Sequence, residues 1–507
     1  MALRVDWRSS CSLAGTVLKW LSVPTVAPLA LAIVDGDDPL PFLVMFAVTV
    51  VLGTGLESLT DDREIDQREA FLMVALTWLG VALVGAIPFL VAGTGVFARP
   101  VNAVFESMSG VTTTGATVIA DFGVHSRALL LWRALLQWLG GLGILIVAIG
   151  LFSHLLVGGA QLMETETQTR SVHKLHPHLD RTARLIWGLY VGLTVLTTVV
   201  LFAFHLAGLA PEMDLYNAVA HALTSVSTAG FSPQPDSIGA FSPIVQWTLV
   251  PVMIVGATNF VVLYAVTQGE LRRPLESAEF RFYIGILTSI TTIVIATLAL
   301  DPDIAMGLEP TLRHGLFNVV SMVTTTGYAS ANFDLWSPGA KHMLFLCMFT
   351  GGMAGSTTCS IKSLRWLVVL KAFRRNLFLA VHPDAVRPLR LDETVVDEET
   401  VRDVFTYVTL ALVIFFLLTV VIVVDAARVG NPVDEFDALG AAASIFLNIG
   451  PAFGVAGPFG NYLAFSPLTR TVMIVMMWIG RIEIVPVLVL LTPEFWERRP
   501  QPALRRA

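Results

Sequence analysis

Four short stretches rich in threonine, serine and glycine carry the most distinctive chemistry of this sequence. The clearest copy reads Thr112-Thr113-Thr114-Gly115. Six residues before each of the four glycines the chain has serine or threonine. The glycines, each with its hydroxyl residue, are Gly115 with Ser109, Gly230 with Thr224, Gly327 with Ser321 and Gly450 with Ser444. Four copies in one register, about a hundred residues apart, indicate an internally repeated chain.

The backbone of such a stretch can bind a monovalent cation. Carbonyl oxygens replace the water around an ion when several of them point toward it. That requires backbone outside the ordinary φ/ψ regions, which glycine reaches at low steric cost. The alternative is that small residues form packing surfaces of membrane helices. Because four copies recur, each between two apolar spans, we favour the cation site.

Composition places these stretches in a membrane. The chain has 507 residues, of which 55% are hydrophobic and 14% charged, and its mean hydropathy is +0.72. Apolar runs of about 18 residues or more recur along it, which is typical of a polytopic membrane protein. The net charge of −7 is small for this size and says little about partners. No nucleic-acid partner is expected. Cys11, Cys347 and Cys359 have no CxxC spacing, so the sequence supports no disulfide framework or zinc site.

The apolar spans predict an all-α protein with ten crossings. Two spans form an N-terminal hairpin over 1–60, and four repeats follow, each with a first span, a shorter segment and a second span. The repeats cover 61–165, 166–275, 276–395 and 396–507. The ten predicted spans are Ser12–Val34, Pro39–Gly55, Ala70–Val96, Ala128–Leu156, Leu185–Leu209, Phe241–Val266, Phe280–Leu300, Lys341–Val369, Val404–Asp425 and Phe465–Leu491.

Each shorter segment has about a dozen residues before the Thr/Gly stretch, too few to cross a bilayer at 1.5 Å per residue. We therefore predict four re-entrant half-helices that meet at one pore axis, since irregular backbone inside a membrane must be buried in protein or line a wet cavity. Asn and Asp are good helix N-caps. The predicted caps, thirteen residues before the glycines, are Asn102, Asn217, His314 and Asp437.

Lysine and arginine indicate the orientation. They are concentrated near the N-terminus, at 170–184, 272–281 and 362–390, and in the C-terminal tail, whereas the linkers that hold the Thr/Gly stretches are rich in aspartate. By the positive-inside rule, both termini are predicted in the cytoplasm and the four stretches near the outer face. Outer carboxylates would concentrate cations at the mouth.

Two further stretches interrupt apolar spans. Gly351–Lys362 holds so many small residues that a helix break is predicted, because each glycine costs about 1 kcal/mol relative to alanine in a helix. Arg481 lies in the last span, where a charge is costly and usually functional. We expect Arg481 to hydrogen-bond backbone carbonyls of the Gly351–Lys362 loop. The alternatives are a kinked packing helix for the first stretch and a structural arginine for the second.

These residues carry a resemblance over nearly the whole chain. The architecture and the four stretches resemble the Trk/Ktr/HKT superfamily of potassium transporters, and the N-terminal hairpin is similar to its bacterial TrkH/TrkG branch. Trp478-Ile479-Gly480-Arg481-Ile482-Glu483 resembles the family's Gly-Arg-Leu-Glu motif, and Asn448-Ile449-Gly450-Pro451 resembles its fourth filter. Cys359-Ser360 stands where the family's loop has two glycines.

The resemblance implies site residues. Glycine at all four filter positions goes with potassium selectivity in that family, and a loop below the filter acts as a gate beside the arginine. The implied potassium filter is Thr113, Thr114, Gly115, Ala116, Thr228, Ala229, Gly230, Phe231, Thr325, Thr326, Gly327, Tyr328, Asn448, Ile449, Gly450 and Pro451. The implied gate is Gly351, Gly352, Gly355, Ser356, Thr357, Lys362 and Arg481.

The resemblance also implies partners and a location. It predicts a homodimer in the inner (cytoplasmic) membrane, docked on a cytosolic TrkA-like ring that binds NAD or ATP, with potassium as the transported ion and no organic cofactor on this chain. A symporter of potassium with protons or sodium stays open as an alternative. An enzyme is not expected, because no HExxH, GxSxG or Walker sequence occurs. A non-transporting scaffold would be distinguished by ion flux in liposomes.

Overall fold

The structure is a computed structural model that describes residues 5–60, 66–150, 176–302, 306–392, 394–431 and 433–496. In these ranges the regular secondary structure is helical except for one antiparallel hairpin, in which β1 (Leu389–Leu391) pairs with β2 (Thr394–Val396). The predicted helical class is confirmed, and the hairpin is a small departure from it. Residues 497–507 of the tail, 170–175 of the basic linker and Arg4 lie outside the described residues, so the structure does not bear on that part of the orientation argument.

The helices are numbered here in chain order. They are α1 (Trp7–Trp20), α2 (Ser22–Asp35), α3 (Leu40–Glu57), α4 (Gln67–Gly85), α5 (Ile87–Ala92), α6 (Pro100–Val111), α7 (Arg127–Gly150), α8 (His176–Leu206), α9 (Leu215–Val226), α10 (Pro243–Gly256), α11 (Phe260–Thr267), α12 (Arg273–Glu276), α13 (Ala278–Leu300), α14 (Leu308–Val323), α15 (Pro338–Cys347), α16 (Ser363–Val381), α17 (Glu398–Arg428), α18 (Glu435–Phe446), α19 (Pro467–Ile482), α20 (Ile484–Leu490) and α21 (Pro493–Trp496).

Glycine brings the first and third helices together at the N-terminus. A Cβ added to Gly15 would lie within 3.0 Å of Leu56 and Glu57, and one added to Gly53 would lie equally close to Lys19. Such close backbone approach is the usual way in which helices pack in a membrane, where apolar burial alone does not drive association. Lys19 then reaches the carboxylate of Glu57 at 2.5 Å.

The four predicted half-helices are present as α6, α9, α14 and α18, with 12, 12, 16 and 12 residues. A 12-residue helix is about 18 Å long, well short of a hydrocarbon core of about 30 Å. Each is followed by its Thr/Gly stretch and by a short 3₁₀ turn before the second span. These turns include Phe122–Val124, Ser237–Ala240, Phe333–Leu335 and Gly454–Ala456.

The predicted N-caps are wrong. The capping residues are Arg99, Asp214, Gly307 and Asp434. Three half-helices therefore begin about one turn before the polar residue that was predicted to cap them, and α14 begins two turns before His314. In α9 the reason is visible, because the Asp214 carboxylate accepts a hydrogen bond from Asn217 N at 2.8 Å. Asn217 is the third residue of the helix rather than its cap.

Hydropathy and length identify seven straight helical spans in the described residues, against ten predicted crossings. They are Trp7–Asp35, Leu40–Glu57, Arg68–Ala92, Arg127–Leu145, Ala183–Leu206, Ala278–Leu300 and Glu398–Arg428. Two more are broken spans: α10 with α11 is bent by 106°, and α19 with α20 by 114°. The remaining predicted span, 341–369, is divided into α15 and α16 around the loop at 351–362, as the glycines predicted. The other two breaks were not predicted.

The outer helices present apolar surface. Leu196, Val199 and Leu206 on α8 are largely exposed, as are Phe416 and Leu417 on α17. Apolar surface of this extent around whole helices is stable against lipid rather than water. The chain is therefore a membrane protein.

The second span of each repeat packs against the half-helix of the next repeat. Helix α7 contacts α9, α10 contacts α14 and α19 contacts α6. Between the third and fourth repeats, the rings of His342 and Phe345 on α15 stack near Phe436 on α18, at centroid distances of 4.7 and 5.7 Å. The chain of contacts closes on itself, so the four repeats surround one axis.

Candidate ion pathway

The Thr/Gly stretches share one backbone conformation. The residue two positions before each glycine and the glycine itself both have a left-handed φ, while the residue between them does not. The φ pairs are 53° and 78° for Thr113 and Gly115, 49° and 78° for Thr228 and Gly230, 51° and 78° for Thr325 and Gly327, and 55° and 110° for Asn448 and Gly450. A left-handed threonine is uncommon and strained. Alternation in the sign of φ lets successive carbonyl groups face one side of the chain.

The four glycines form a closed ring of contacts. A Cβ added to any of them would come within 3.0 Å of a carbonyl oxygen in the next repeat, always that of the residue before the next glycine. The pairs are Gly115 with Ala229, Gly230 with Thr326, Gly327 with Ile449 and Gly450 with Thr114. The stretches therefore meet at the common axis, and only a residue without a side chain fits at each glycine.

The hydroxyl residues at the sixth position before the glycines anchor the stretches. Ser109 O accepts hydrogen bonds from Thr114 N at 2.9 Å and Gly115 N at 3.4 Å, and Thr224 and Ser321 repeat the pattern in their own repeats. In the fourth repeat the hydroxyl takes part, because Ser444 Oγ accepts from Gly450 N at 3.0 Å and donates to Gly450 O at 2.7 Å. Local bonds thus hold the strained backbone.

A second set of anchors was not predicted. It lies nine residues before the glycines, on the half-helices, and it binds the chain just beyond each stretch. Glu106 accepts from Val118 N at 2.9 Å, His221 pairs with Ser232 Oγ at 3.0 Å, and Asn318 Nδ2 donates to Ser330 Oγ at 3.0 Å. The fourth repeat has Ala441 there, and Tyr462 donates to Gly450 O at 2.9 Å instead. The sequence did contain a signal for these anchors, namely a polar residue at a fixed offset from the glycine in an otherwise apolar half-helix.

The side chains of three predicted filter residues pack around the ring. The Tyr328 hydroxyl bonds to Thr224 Oγ1 and, at 3.2 Å, to His221 O. The Arg133 guanidinium lies 4.0 Å from the centroid of the Phe231 ring. Pro451 packs where a side chain on Gly327 would project. These aromatic and proline side chains therefore fill the space behind the glycines.

The loop at 351–362 closes on itself between α15 and α16. Gly351 N donates to Ile361 O at 2.8 Å, and Ser363 N donates to Gly352 O at 3.1 Å. Ser360, which stands at the second of the family's two glycines, has a φ of 61°. Its hydroxyl donates to Met348 O at 2.6 Å, which offsets part of the strain.

Two other segments hold the loop: the start of α13, in the same repeat, and the bend between α10 and α11, in the second repeat. Glu279 Oε1 accepts from Ala354 N at 2.7 Å and Ser363 Oγ at 3.0 Å. Asn259, at the bend between α10 and α11, donates to Ala354 O at 2.8 Å, and a Cβ on Gly355 would collide with it. The unpredicted bend in the second repeat therefore makes room for the loop.

The loop lies directly against the ring. Thr228 Oγ1 is 2.9 Å from Thr357 Oγ1, and Thr325 Oγ1 accepts from Cys359 N at 3.0 Å. Thr113 Oγ1 is 3.9 Å from Cys359 Sγ. Of the four residues that stand two positions before the glycines and have a left-handed φ, three therefore contact the loop through their side chains.

Arg481 bonds to the loop, as the sequence predicted, and it also reaches the first repeat. It is 2% exposed. Nη1 donates to Thr357 O at 3.0 Å and lies 2.7 Å from Cys359 Sγ, and Nη2 donates to Gly140 O at 2.9 Å. Glu483 is not its partner, since that carboxylate binds Arg365 at 2.6 Å. Lys362 Nζ bonds within the loop, to Thr358.

Comparison with known proteins agrees with this arrangement. The profile of the TrkH family, described as "Cation transport protein", matches residues 41–498. The chain belongs to the TrkH family. Its relatives include the "Trk system potassium uptake protein TrkH" of Halomonas elongata, 32% identical over 98% of this chain and all of the relative, and that of Escherichia coli K12, 31% identical over 97% of this chain and all of the relative.

A solved structure of the same family has the same fold. The crystal structure of the potassium transporter TrkH from Vibrio parahaemolyticus matches with a TM-score of 0.85 at 29% identity, and covers 97% of this chain and 100% of that one. The TrkH-family fold thus accounts for the N-terminal helices and the helical groups that follow them.

In this TrkH family member two carboxyl groups come near each other beyond the ring: Asp334 in the linker after the third Thr/Gly stretch, and Asp437 in the first turn of α18. Asp334 accepts from Gly454 N at 3.2 Å, and side chains on Gly454 and Gly457 would collide with Asp437 and Asp334. Burial, and then the nearby Asp437 charge, raise the pKa of Asp334 above its usual value. Burial and the charge of Asp434 raise the pKa of Asp437. The pair therefore takes up protons more readily than exposed aspartates do.

Proposed function

We propose that this protein takes up potassium ions across the cytoplasmic membrane through a pore lined by the four Thr/Gly stretches. The observation that carries the proposal is the closed ring, in which each filter glycine abuts a carbonyl oxygen of the next repeat. Rings of carbonyl oxygens replace the hydration shell of potassium. The potassium uptake named for the relatives supports the choice of ion.

The electrostatics of the half-helices suit a cation. Each half-helix ends at its Thr/Gly stretch, so its carbonyl end, which carries a partial negative charge, faces the axis. In the proposed orientation both termini are cytoplasmic and the stretches lie toward the outside. Asp334 and Asp437 then lie at the outer mouth, where they raise the local cation concentration.

The loop at 351–362 is the proposed gate. It covers the ring on one side and bonds to the left-handed threonines, so an ion cannot leave by that side until the loop moves. Arg481 holds the loop closed through Thr357, and its charge repels a cation from an empty path. The proposed gate is the set predicted from the sequence, Gly351, Gly352, Gly355, Ser356, Thr357, Lys362 and Arg481, together with Asn259 and Glu279, which tether it.

Regulation is proposed to come from another protein. The basic cytoplasmic segments would receive a TrkA-like ring of nucleotide-binding subunits, with this chain as a homodimer. Co-purification from native membranes tests this. Full, nucleotide-independent activity of the chain recovered alone in mild detergent would count against it.

Flux in liposomes tests the proposed function. Purified protein should take up rubidium under an imposed membrane potential, and potassium should compete with rubidium better than sodium does. A pH or sodium gradient should not be required. Uptake that needs such a gradient would indicate a symporter, and wild-type protein without cation flux would overturn the proposal.

A further inference from the structure

Helix α7 of the first repeat carries two polar residues at positions where the corresponding helices of the second and fourth repeats have apolar residues. Gly140, Gly256 and Gly480 are equivalent, because a Cβ on each would meet the carbonyl oxygen of the residue four positions before a filter glycine. Three residues before these glycines stand Gln137, Met253 and Met477, and seven before them stand Arg133, Leu249 and Met473. All six are buried. The first repeat thus carries an amide and a charge where its counterparts are apolar.

Gln137 clamps the filter stretch of the second repeat. Its Nε2 donates to Ala229 O at 2.5 Å, and its Oε1 accepts from Phe231 N at 2.9 Å. The two bonds fix the peptide units on both sides of Gly230, whose lack of a side chain would otherwise leave them free to rotate. A neutral primary amide can donate and accept at once, which neither methionine nor a carboxylate does.

The clamp acts at the junction of two filter stretches. Ala229 O is the atom that abuts Gly115 in the ring, and a Cβ added to Gly115 would also lie 3.7 Å from Gln137 Nε2. A change in the direction of Ala229 O would therefore alter the spacing between the first and second stretches. The distances among carbonyl groups in the ring would then change for the ion as well.

Arg133, one turn before Gln137, secures the chain that follows both stretches. Its Nε bonds to Glu106 at 2.7 Å, and its Nη2 lies 3.3 Å from Thr117 Oγ1. Nη1 reaches Ser232 O at 3.4 Å, and the guanidinium lies 4.0 Å from the centroid of the Phe231 ring. One planar group with five donors can serve these partners together.

We propose that Gln137 and Arg133 are positioning residues for ion selectivity, which hold the second filter stretch against the first. The proposal rests on the proposed function, because it assigns these residues to a cation filter. It differs from a packing role in what it predicts. Loss of packing lowers the amount of folded protein or the flux of all cations together, whereas loss of positioning changes the ratio between cations.

The first test is Gln137→Met, which installs the residue of the equivalent positions in the second and fourth repeats. Rubidium uptake into liposomes is measured with potassium or sodium as competitor, per folded protein. We expect the preference for potassium over sodium to fall about three- to tenfold for each bond lost, the ratio that one net hydrogen bond represents. Met253→Leu is the matched control, and its ratio should equal that of wild type.

Two conservative variants separate the parts of the clamp. Gln137→Glu can still accept from Phe231 N, but an ionised carboxylate would repel Ala229 O, so its selectivity should be no better than that of Gln137→Met. Arg133→Lys keeps the charge opposite Glu106 but loses the planar fork, and its selectivity should lie between wild type and Gln137→Met. It also guards against failure of a charge-removing variant to fold.

The outcomes distinguish this inference from the proposed function. Wild-type protein without selective cation flux would refute the proposed function. Selective wild type with an unchanged potassium-to-sodium ratio in folded Gln137→Met would overturn the clamp alone. A fall in the uptake of both cations by one factor, with the ratio preserved, would assign Gln137 to packing and would also overturn it.

Discussion

Arg481 Nη1 donates a hydrogen bond to Thr357 O across 3.0 Å, although the two residues belong to different repeats and are 124 positions apart in the chain. The bond joins a broken span of the fourth repeat to the loop of the third. Thr357 in turn contacts Thr228 of the ring at 2.9 Å. Arg481 is therefore linked to the ring through two loop residues, since Cys359, which it also contacts, bonds to Thr325 of the ring.

Arg481→Ala should raise basal rubidium flux about tenfold or more, because even one hydrogen bond from a charged donor to the loop contributes about 1.5 kcal/mol or more. Deletion of Gly352–Thr358 should do the same. Since both changes break one contact, the double variant should add little. Flux is measured per correctly folded protein, with the exposed Arg402→Ala as control. A well-folded Arg481→Ala with flux no higher than wild type would rule out the latch.

Gly115→Ala and Gly327→Ala should lower the preference for potassium over sodium. Each added Cβ collides with a carbonyl oxygen of the next repeat, and each residue has a left-handed φ of 78° that alanine adopts with strain. Gly188→Ala on α8 is the control, because nothing lies within 4 Å of its Cβ. Competition between potassium and sodium for rubidium uptake measures the effect. Unchanged ratios in both filter variants would falsify the filter assignment.

Glu279→Ala should loosen the loop and also raise basal flux. It leaves Ala354 N without its acceptor, and an unpaired buried donor costs about 1–3 kcal/mol, whereas Ser363 Oγ keeps its bond to Gly352 O at 3.3 Å. Glu279→Gln keeps an acceptor oxygen and should have a smaller effect. Flux and the thermal unfolding temperature are measured together. If Glu279→Ala unfolds earlier but carries no extra flux at a temperature where it is folded, the carboxylate is not a tether of the gate.

Acidification outside should reduce uptake at low potassium concentration. The raised pKa values of Asp334 and Asp437 mean that the folded protein binds protons more readily than the unfolded chain. The two carboxyl groups therefore lower the stability of the fold once the pH rises through their folded-state pKa values. They also lose their charge at higher pH than exposed aspartates, whose pKa is about 3.9. Lys341 and Asp434 are the other charges that act on the pair.

The pH experiment compares wild type with Asp334→Asn and with Asp437→Asn. Wild-type uptake should fall as the outer pH is lowered, and the fall should begin above the pH range in which exposed aspartates take up protons, since the mouth attracts fewer cations when neutral. Each variant should have lower uptake near neutral pH and a flatter profile. Equal profiles for all three proteins would mean that these carboxyl groups do not act on the entering ion.

Several functional features could be predicted from the sequence because they depend on local constraints. Gly115 and its three counterparts recur in one register because only glycine fits at these positions of the ring. Each repeat therefore shows the requirement in its own sequence. The glycines at 351–355 interrupt a span because they weaken a helix wherever it lies. The half-helices were predicted because the segment before each Thr/Gly stretch is too short to cross a bilayer, and hydropathy alone gives that length.

The tertiary structure decided which groups meet that lie far apart in the chain. Gln137 resembles an ordinary helix residue until α7 packs on the second filter stretch, and Glu279 resembles the start of a span until the loop reaches it. The bend at Asn259 likewise depends on a loop almost a hundred residues away. Hydrophobic periodicity and glycine register act within one segment, whereas a buried hydrogen bond needs a partner that only packing brings within 3 Å. For this reason the sequence by itself determined the repeated ring, and the fold decided what holds it in place.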